Sequence, residues 1–297
     1  MPSHRPLTVP AIVALLLSAA GCRQAPPSET TPAPSPAPVT ISAVMSPAVP
    51  GSLEPQVTTS ARGLLASWVE RVDGKTTLKF AERTGTNWGP TRVVASGSNW
   101  FVSHADVPTV QRLSNGTIVA NWLVETDAAL EAYDLMLSYS ADDGVTWAKP
   151  FSPHHDGTKT QHGFASFYET PDAFGLVWLD GRAQELDTTS PDGGAMSLRA
   201  ATFDRAWKQT GDAAVDVRVC ECCSTTVAVT SDGPLVAFRD RSDKEVRDIA
   251  VSRLEAGNWT PAQLEHADGW TIPACPDRKS TRLNSSHSQQ SRMPSSA

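Results

Sequence analysis

Ser140-Ala141-Asp142-Asp143-Gly144-Val145-Thr146-Trp147 is the stretch that decides the fold class. Its pattern, Ser-x-Asp-x-Gly-x-Thr-Trp, gives each fixed position a structural use. The Asp142 carboxylate can accept backbone N–H groups across a tight turn, as short polar side chains do at loop starts. Gly144 can take a positive φ that a β-branched residue could not. Thr146 restarts a strand, and Trp147 can pack between neighbouring sheets. The competing reading is a calcium loop. Asp-Asp-Gly lacks the further oxygen ligands at alternating positions that such a loop needs, so no metal is expected here.

Moving outward, the same local plan recurs. Leu64-Leu65-Ala66-Ser67-Trp68-Val69-Glu70 is echoed by Ile118-Val119-Ala120-Asn121-Trp122-Leu123-Val124. It returns in Phe174-Gly175-Leu176-Val177-Trp178-Leu179-Asp180 and Pro234-Leu235-Val236-Ala237-Phe238-Arg239-Asp240. The aromatics at 68, 122, 178 and 238 are spaced by 54, 56 and 60 residues. A second series, Trp88, Trp147, Trp207 and Trp259, closes each unit. Repeats of this length built from short strands indicate propeller blades. Turns at Asn115-Gly116 and Asp232-Gly233 support hairpins, and no segment reads as a long amphipathic helix. In the second unit the strands are expected at about 107–113, 117–124 and 134–140, with a fourth after the Ser140–Trp147 turn. Four units and the start of a fifth, near His266, are expected.

The Ser140–Trp147 motif resembles the Asp-box of the sialidase-superfamily (BNR repeat) β-propellers, with Ser140, Asp142, Gly144, Thr146 and Trp147 at its fixed positions. The resemblance covers about residues 53–276, with degenerate boxes in the other units. It implies an all-β, sialidase-like propeller, six-bladed at full length, of which about four blades and a part are present here. It also implies a role on acidic glycans. In that family, arginines bind the substrate carboxylate, an aspartate acts as acid/base, and a tyrosine paired with a glutamate is the nucleophile. Tyrosine replaces one carboxylate of the usual glycosidase pair. This sequence has no Arg-Ile-Pro in its first unit, where the family places one carboxylate-binding arginine. Tyr133, Tyr139 and Tyr168 do not stand in the nucleophile's place. Two function classes therefore stay open. One is an exo-acting glycoside hydrolase of the α-sialidase type, and the other is a non-catalytic propeller that binds glycans or protein partners.

Because the strands alternate direction, loops sort onto two faces. The turn containing Asp142 lies on one face. The segments before each first strand, and the loops after each second strand, lie on the other, which carries most of the chemistry-bearing residues. Three of these loops open with an acid and an arginine: Glu70-Arg71, Asp180-Gly181-Arg182 and Asp240-Arg241. The guanidinium fork matches a carboxylate in two parallel hydrogen bonds. Candidate ligand-binding residues are therefore Arg182, Arg239, Arg241, Arg71, Asp106, Asp180 and His104. The alternative is an internal lattice in which Arg239, Asp240, Arg241, Asp243, Glu245, Arg247 and Asp248 pair among themselves.

Five cysteines are present. Cys220, Cys222, Cys223 and Cys275 make an even set, which in an exported chain favours disulfides. A bridge from Cys220 or Cys222 to Cys275 would join the fourth unit to the fifth. A thiolate metal site is disfavoured because adjacent Cys222 and Cys223 chelate poorly. No sequence feature indicates a nucleotide, flavin or haem, and no cofactor is expected.

The ends read differently from the middle. Residues 1–21 form a lipoprotein signal: His4 and Arg5, an apolar run from Ala11 to Ala20, then Ala19-Ala20-Gly21-Cys22 as a lipobox. Cys22 is the expected lipid attachment site. Residues 22–52 are rich in Pro, Ala, Thr and Ser and read as a tether that cannot bury a core. Arg23 in place of an aspartate favours outer-membrane placement, so the expected location is the bacterial cell envelope. Residues 277–297 resemble translated sequencing-adapter sequence, so the propeller sequence is expected to stop near Pro276. The whole chain carries −7. Removing Arg5 and the tail's four basic residues and one acid leaves −11, which argues against a nucleic-acid partner.

Overall fold

The computed structural model describes residues 41–186 and 194–271. The expected all-β class holds, and the described residues build four antiparallel sheets in chain order. The first contains β1 (Leu53–Ser60), β2 (Gly63–Val72), β3 (Lys75–Thr84), β4 (Asn87–Trp88) and β5 (Arg92–Gly97). The second contains β6 (Val110–Arg112), β7 (Ile118–Asp127) and β8 (Ala132–Ser140). The third contains β9 (His162–Glu169), β10 (Ala173–Asp180), β11 (Ser197–Asp204) and β12 (Gln209–Asp216), with a five-residue helix α1 (Arg182–Leu186) in the loop after β10. The fourth contains β13 (Thr226–Thr230), β14 (Gly233–Arg239), β15 (Ile249–Glu255), β16 (Asn258–Trp259) and β17 (Gln263–Leu264). Each sheet is an up-and-down meander, the blade topology of a propeller. No helix among the described residues is long and apolar enough to cross a membrane.

The burial patterns explain why these sequences form blades. β7 is buried over its first six residues and β10 over all but its first, because both faces are covered there. Outer strand β12 is mostly exposed and polar. The core therefore occupies three seams, between the first and second sheets, the second and third, and the third and fourth. First strands meet across seams: the Thr58 hydroxyl donates to the Val110 carbonyl at 2.8 Å, and the Ser166 hydroxyl to the Thr225 carbonyl at 2.9 Å. These contacts gather β1, β6, β9 and β13 around a common interior.

Both aromatic series have a physical role. Trp68, Trp122, Trp178 and Phe238 are buried within their sheets. In two of them the indole N–H is satisfied by the acid two residues on, Trp68 with Glu70 at 2.8 Å and Trp178 with Asp180 at 2.9 Å. The second series reaches backwards. Trp147 packs edge-on against Phe80 of the first sheet, Trp207 stacks on Tyr139 of the second at 4.1 Å, and Trp259 meets Tyr168 of the third.

The turn at 140–147 is closed by side chains. Asp142 accepts the Thr146 amide at 2.9 Å and the Thr146 hydroxyl at 2.6 Å, and Ser140 Oγ accepts the Gly144 amide at 2.8 Å. The Thr146 and Ser140 bonds hold the Asp142 carboxyl down at about 2. In the third sheet Asp204 does the same job, accepting the Ala206 and Lys208 amides at 2.9 Å. One expectation fails locally. No regular fourth strand follows the 140–147 turn, only a bridge between Leu137 and Phe151. Pro150 lacks the N–H that a ladder requires.

Gly144 has φ +79°, and a Cβ there would come within 2.5 Å of the Phe80 ring. Gly144→Ala combines backbone strain with a clash at the first seam. It is expected to lower unfolding free energy by roughly 1–3 kcal/mol, read as a fall in denaturant midpoint. An unchanged midpoint would show that the turn does not clamp the seam.

Candidate functional site

The first strands of all four sheets start at the same end of the interior, so residues at or just before these starts collect on one rim. Glu54 stands near the start of β1, Asp106 shortly before β6, His162 at the start of β9, and Cys220–Cys223 before β13. Below the rim lies a polar cavity of about 340 Å³. Its walls include Gln56, Thr58, Gln111, Ser166 and Thr225, with Asp106 at its edge. Hydroxyls and amides converge there from separate strands, an arrangement suited to a hydrogen-bonding ligand.

Glu54 is only 8% exposed and holds an unusual backbone conformation with φ +49°. Burial, followed by the negative charge of Asp106, pushes its carboxyl up to about 8. Asp106 is also buried, and its carboxylate accepts the Phe164 amide at 2.7 Å. Behind Asp106, Tyr133 stacks on Phe101 with ring centroids 4.2 Å apart. Burial and then the Asp106 charge keep the Tyr133 phenol protonated. The rim thus sets a proton-bearing carboxyl beside a second carboxyl group.

A second cluster adjoins it through His162. The rings of His154 and His162 stack at 3.8 Å, 6° from parallel. Asp156 Oδ2 lies 3.4 Å from His154 Nδ1, 3.3 Å from His162 Nε2 and 3.3 Å from the Arg182 guanidinium. Asp180 is fully buried and takes Arg182 in a two-point pair, both contacts at 2.7 Å. Burial opposes the ionised form of Asp156, but the Thr158 hydroxyl, His162 and Arg182 hold it well below the usual carboxylate range. Burial also opposes ionised Asp180, and the Arg182 hydrogen bond outweighs it. Burial, then His162, drives His154 down to about 4, so its ring is neutral at physiological pH.

The sequence-derived candidates fall into distinct settings. Arg182 is turned onto Asp180 and Asp156. Arg239 donates to the Arg247 carbonyl at 2.7 Å and lies 5.1 Å from the centre of the Trp270 ring. Arg241 pairs with Glu245 and with Glu221, and Arg247 with the same two acids. Arg218 approaches Glu245 at 3.5 Å and Asp243 at 3.9 Å. The internal lattice therefore exists. None of these arginines borders the polar cavity, whereas Asp106 does. Arg71 makes a long 3.4 Å contact to Thr76, and His104 is exposed. Glu54, His154 and Asp134 are not among the functional residues expected from sequence. For Glu54 the only signal is an acid near the start of a first strand. His154 and Asp134 carry none.

Cys220 and Cys223 require a correction. Both are thiols, with sulfurs 3.1 Å apart, well beyond the bonded distance of about 2.05 Å. Cys222 between them is disulfide-bonded, but no disulfide joins two of the described residues. Cys220 is buried, and its sulfur also accepts from Arg247 at 3.5 Å. The Cys223 contact, ahead of burial and the Arg247 bond, brings the Cys220 thiol down to about 6. The Arg247 cation beside the lowered Cys220 thiol favours the reduced form here over a bridge. Cys275 and Cys22 lie outside the described residues.

Glu54 also sets a pH dependence. Its folded pKa is raised, so the stability it contributes is complete below about 4.5 and is lost as pH rises through about 8. Each tenfold change in proton affinity is worth about 1.4 kcal/mol, so the loss is on the order of a few kcal/mol. Glu54→Gln should flatten this part of the stability profile. Denaturant midpoints between pH 5 and 9 that slope equally in both proteins would place Glu54 in contact with water.

No family model matches the chain, and a search of curated proteins finds no significant match. Among solved structures, a Dyadobacter fermentans protein described as of unknown function is 17% identical, with a TM-score of 0.49 over 72% of this chain and 68% of that one. An α-L-arabinofuranosidase from Lactobacillus brevis is 11% identical, with a TM-score of 0.47 over 71% and 72%. The NanB sialidase of Streptococcus pneumoniae is 13% identical, with a TM-score of 0.38 over 65% of this chain and 27% of that one. All three scores lie below 0.5, so the chemistry has to be read from this chain's own residues.

Proposed function

We propose that this chain is a glycan-acting propeller of the cell envelope whose working end is the rim of Glu54 and Asp106. One observation carries the reading: Asp106 lines a cavity walled by hydroxyls and amides and interacts with the buried, proton-bearing carboxyl of Glu54. Glycoside cleavage needs a group that protonates the leaving oxygen and another that supports the opposite side of the sugar. Neighbouring acids whose environments differ can divide those roles. Glu54 would be the acid and Asp106 its partner. An acidic sugar, as the sialidase resemblance implies, would bind if Arg182 or Arg241 exchanged an internal acid for the substrate carboxylate. The second reading, a non-catalytic glycan- or protein-binding propeller, draws support from the internal pairing of Arg182 and Arg241.

The test is a panel of fluorogenic sialosides and arabinosides with the full chain and its Glu54→Gln and Asp106→Asn variants. The hydrolase reading expects turnover that falls above about pH 8, as Glu54 loses its proton, and drops roughly 100-fold or more in Glu54→Gln. Binding without turnover selects the non-catalytic reading. Neither binding nor turnover, in protein with native circular dichroism, removes the rim from consideration.

The lipid anchor is a separate proposal, since Cys22 lies outside the described residues. Cys22→Ala should move the protein from the membrane fraction to the soluble fraction of the envelope. Unchanged membrane association would overturn the anchor.

A further inference from the structure

We infer that Asp156, His162 and Asp180 form a binding site for one divalent transition-metal ion of the Zn²⁺ or Mn²⁺ class. This inference stands apart from the glycan reading and departs from the expectation of no metal drawn from the sequence. Three observations carry it.

The first is geometry. One nitrogen and two carboxylate oxygens converge, all within 4.8 Å of one another. His162 Nε2 lies 3.3 Å from Asp156 Oδ2 and 3.9 Å from Asp180 Oδ1. Ligands held at about 2.1 Å around a tetrahedral ion lie about 3.4 Å apart. The first edge already has that length, and the second needs a small closure.

The second is an imbalance of hydrogen bonding. The Asp156 side chain is 4% exposed and that of His162 is 0% exposed. Asp156 Oδ2 and His162 Nε2 face each other and neither makes a hydrogen bond among the described residues, with the Arg182 guanidinium 3.3 Å and His154 Nδ1 3.4 Å from Asp156 Oδ2. The opposite atoms are tied back. His162 Nδ1 faces the Tyr133 carbonyl at 3.4 Å, and Asp156 Oδ1 accepts the Thr158 amide and hydroxyl. Asp180 is held through both oxygens, Oδ1 by the Arg182 amide and Nε and Oδ2 by the Arg182 guanidinium and the Trp178 indole, so Oδ1 would exchange Arg182 for the ion. A ligating imidazole that gives its other N–H to a backbone carbonyl, beside a ligating carboxylate fixed through its second oxygen, is how outer groups aim metal ligands.

The third is charge. Asp134, Asp156 and Asp180 surround the stacked imidazoles, with Arg182 as the cation among them. Three carboxylates face one guanidinium here, and the Asp156 and Asp180 side chains are buried, a setting that favours a bound cation. An imidazole ligand with only two carboxylates selects a borderline ion over Ca²⁺ or Mg²⁺, which prefer sets of oxygens. His154 stacks on His162 and its Nδ1 lies 3.4 Å from Asp156 Oδ2, so it adjoins the same oxygen.

The experiment uses the full chain, stripped with a chelator and dialysed, then titrated with ZnCl₂, MnCl₂ and CaCl₂ by calorimetry, with metal content measured after gel filtration. The expected result is one Zn²⁺ or Mn²⁺ per chain, a raised melting temperature, and little response to Ca²⁺. Asp156→Asn and His162→Gln should each weaken binding at least about 10–100-fold. Asp142→Asn, at the opposite face, should leave it unchanged. Wild-type stoichiometry does not depend on whether the variants fold, and circular dichroism checks those. Absence of binding to wild-type protein would overturn the inference. Undiminished binding in well-folded Asp156→Asn would also overturn it. So would a thiolate-to-metal charge-transfer band with Co²⁺, which would place the ion at Cys220 and Cys223.

Discussion

The packing of one tryptophan per blade against the preceding blade is the interaction on which the rest of the structure depends. A single meander has two faces and cannot cover both alone. Trp147, Trp207 and Trp259 close the three seams by inserting a half-buried ring against an aromatic of the previous sheet. At the first blade the Trp88 indole N–H instead donates to the Met45 carbonyl at 2.8 Å. Each ring offers a large apolar area at a fixed orientation, which sets the angle between sheets as well as the burial. The turn beside Trp147 is rigid because Asp142, Ser140 and Gly144 satisfy its amides and permit its backbone path.

With the seams fixed, the rim follows. First strands that start at one end must bring their leading residues together, whatever those residues are. At this rim they are Glu54, Asp106, His162 and the cysteine segment. Several are charged and largely shielded from water, a setting that costs free energy unless partners or protons compensate. Arg182, Arg241 and Arg247 supply part of that compensation through two-point or shared ion pairs. The Glu54 carboxyl supplies another part by keeping its proton. Concentrated, imperfectly balanced charge at the mouth of a polar cavity is where function is most economically sought.

The fold is legible in the sequence because its cause is periodic. Buried aromatics recur within second strands, tryptophans recur at blade ends, and Asp142 and Gly144 announce a turn that few other contexts require. The second sheet lacks its last strand through a local effect, the lost N–H of Pro150, which a repeat pattern does not register. The site is less legible. Its face follows from strand direction, and Asp106, Asp156, His162, Asp180 and Arg182 do lie there. Which of them pair does not follow. The Glu54–Asp106 interaction joins residues from different blades, and nothing in either neighbourhood marks the other. The arginines are recognisable as carboxylate binders, but the carboxylates they hold belong to this chain. Cys220 and Cys223 show the same limit: an even count suggests bridges, while Arg247 beside Cys220 gives the reduced form an advantage that spacing cannot reveal.

The backward reach of the tryptophans has a consequence for how the chain acquires its shape. Each blade docks on one that precedes it, and none of the three seams needs a segment from further along. Sheet contacts run between neighbours in sequence, so assembly can proceed one blade at a time from the amino-terminal side. A chain that emerges progressively would find, at each step, a finished surface waiting for the next ring. The exposed surface at any moment is one blade face, and the hazard of unpaired strands is confined to the newest edge.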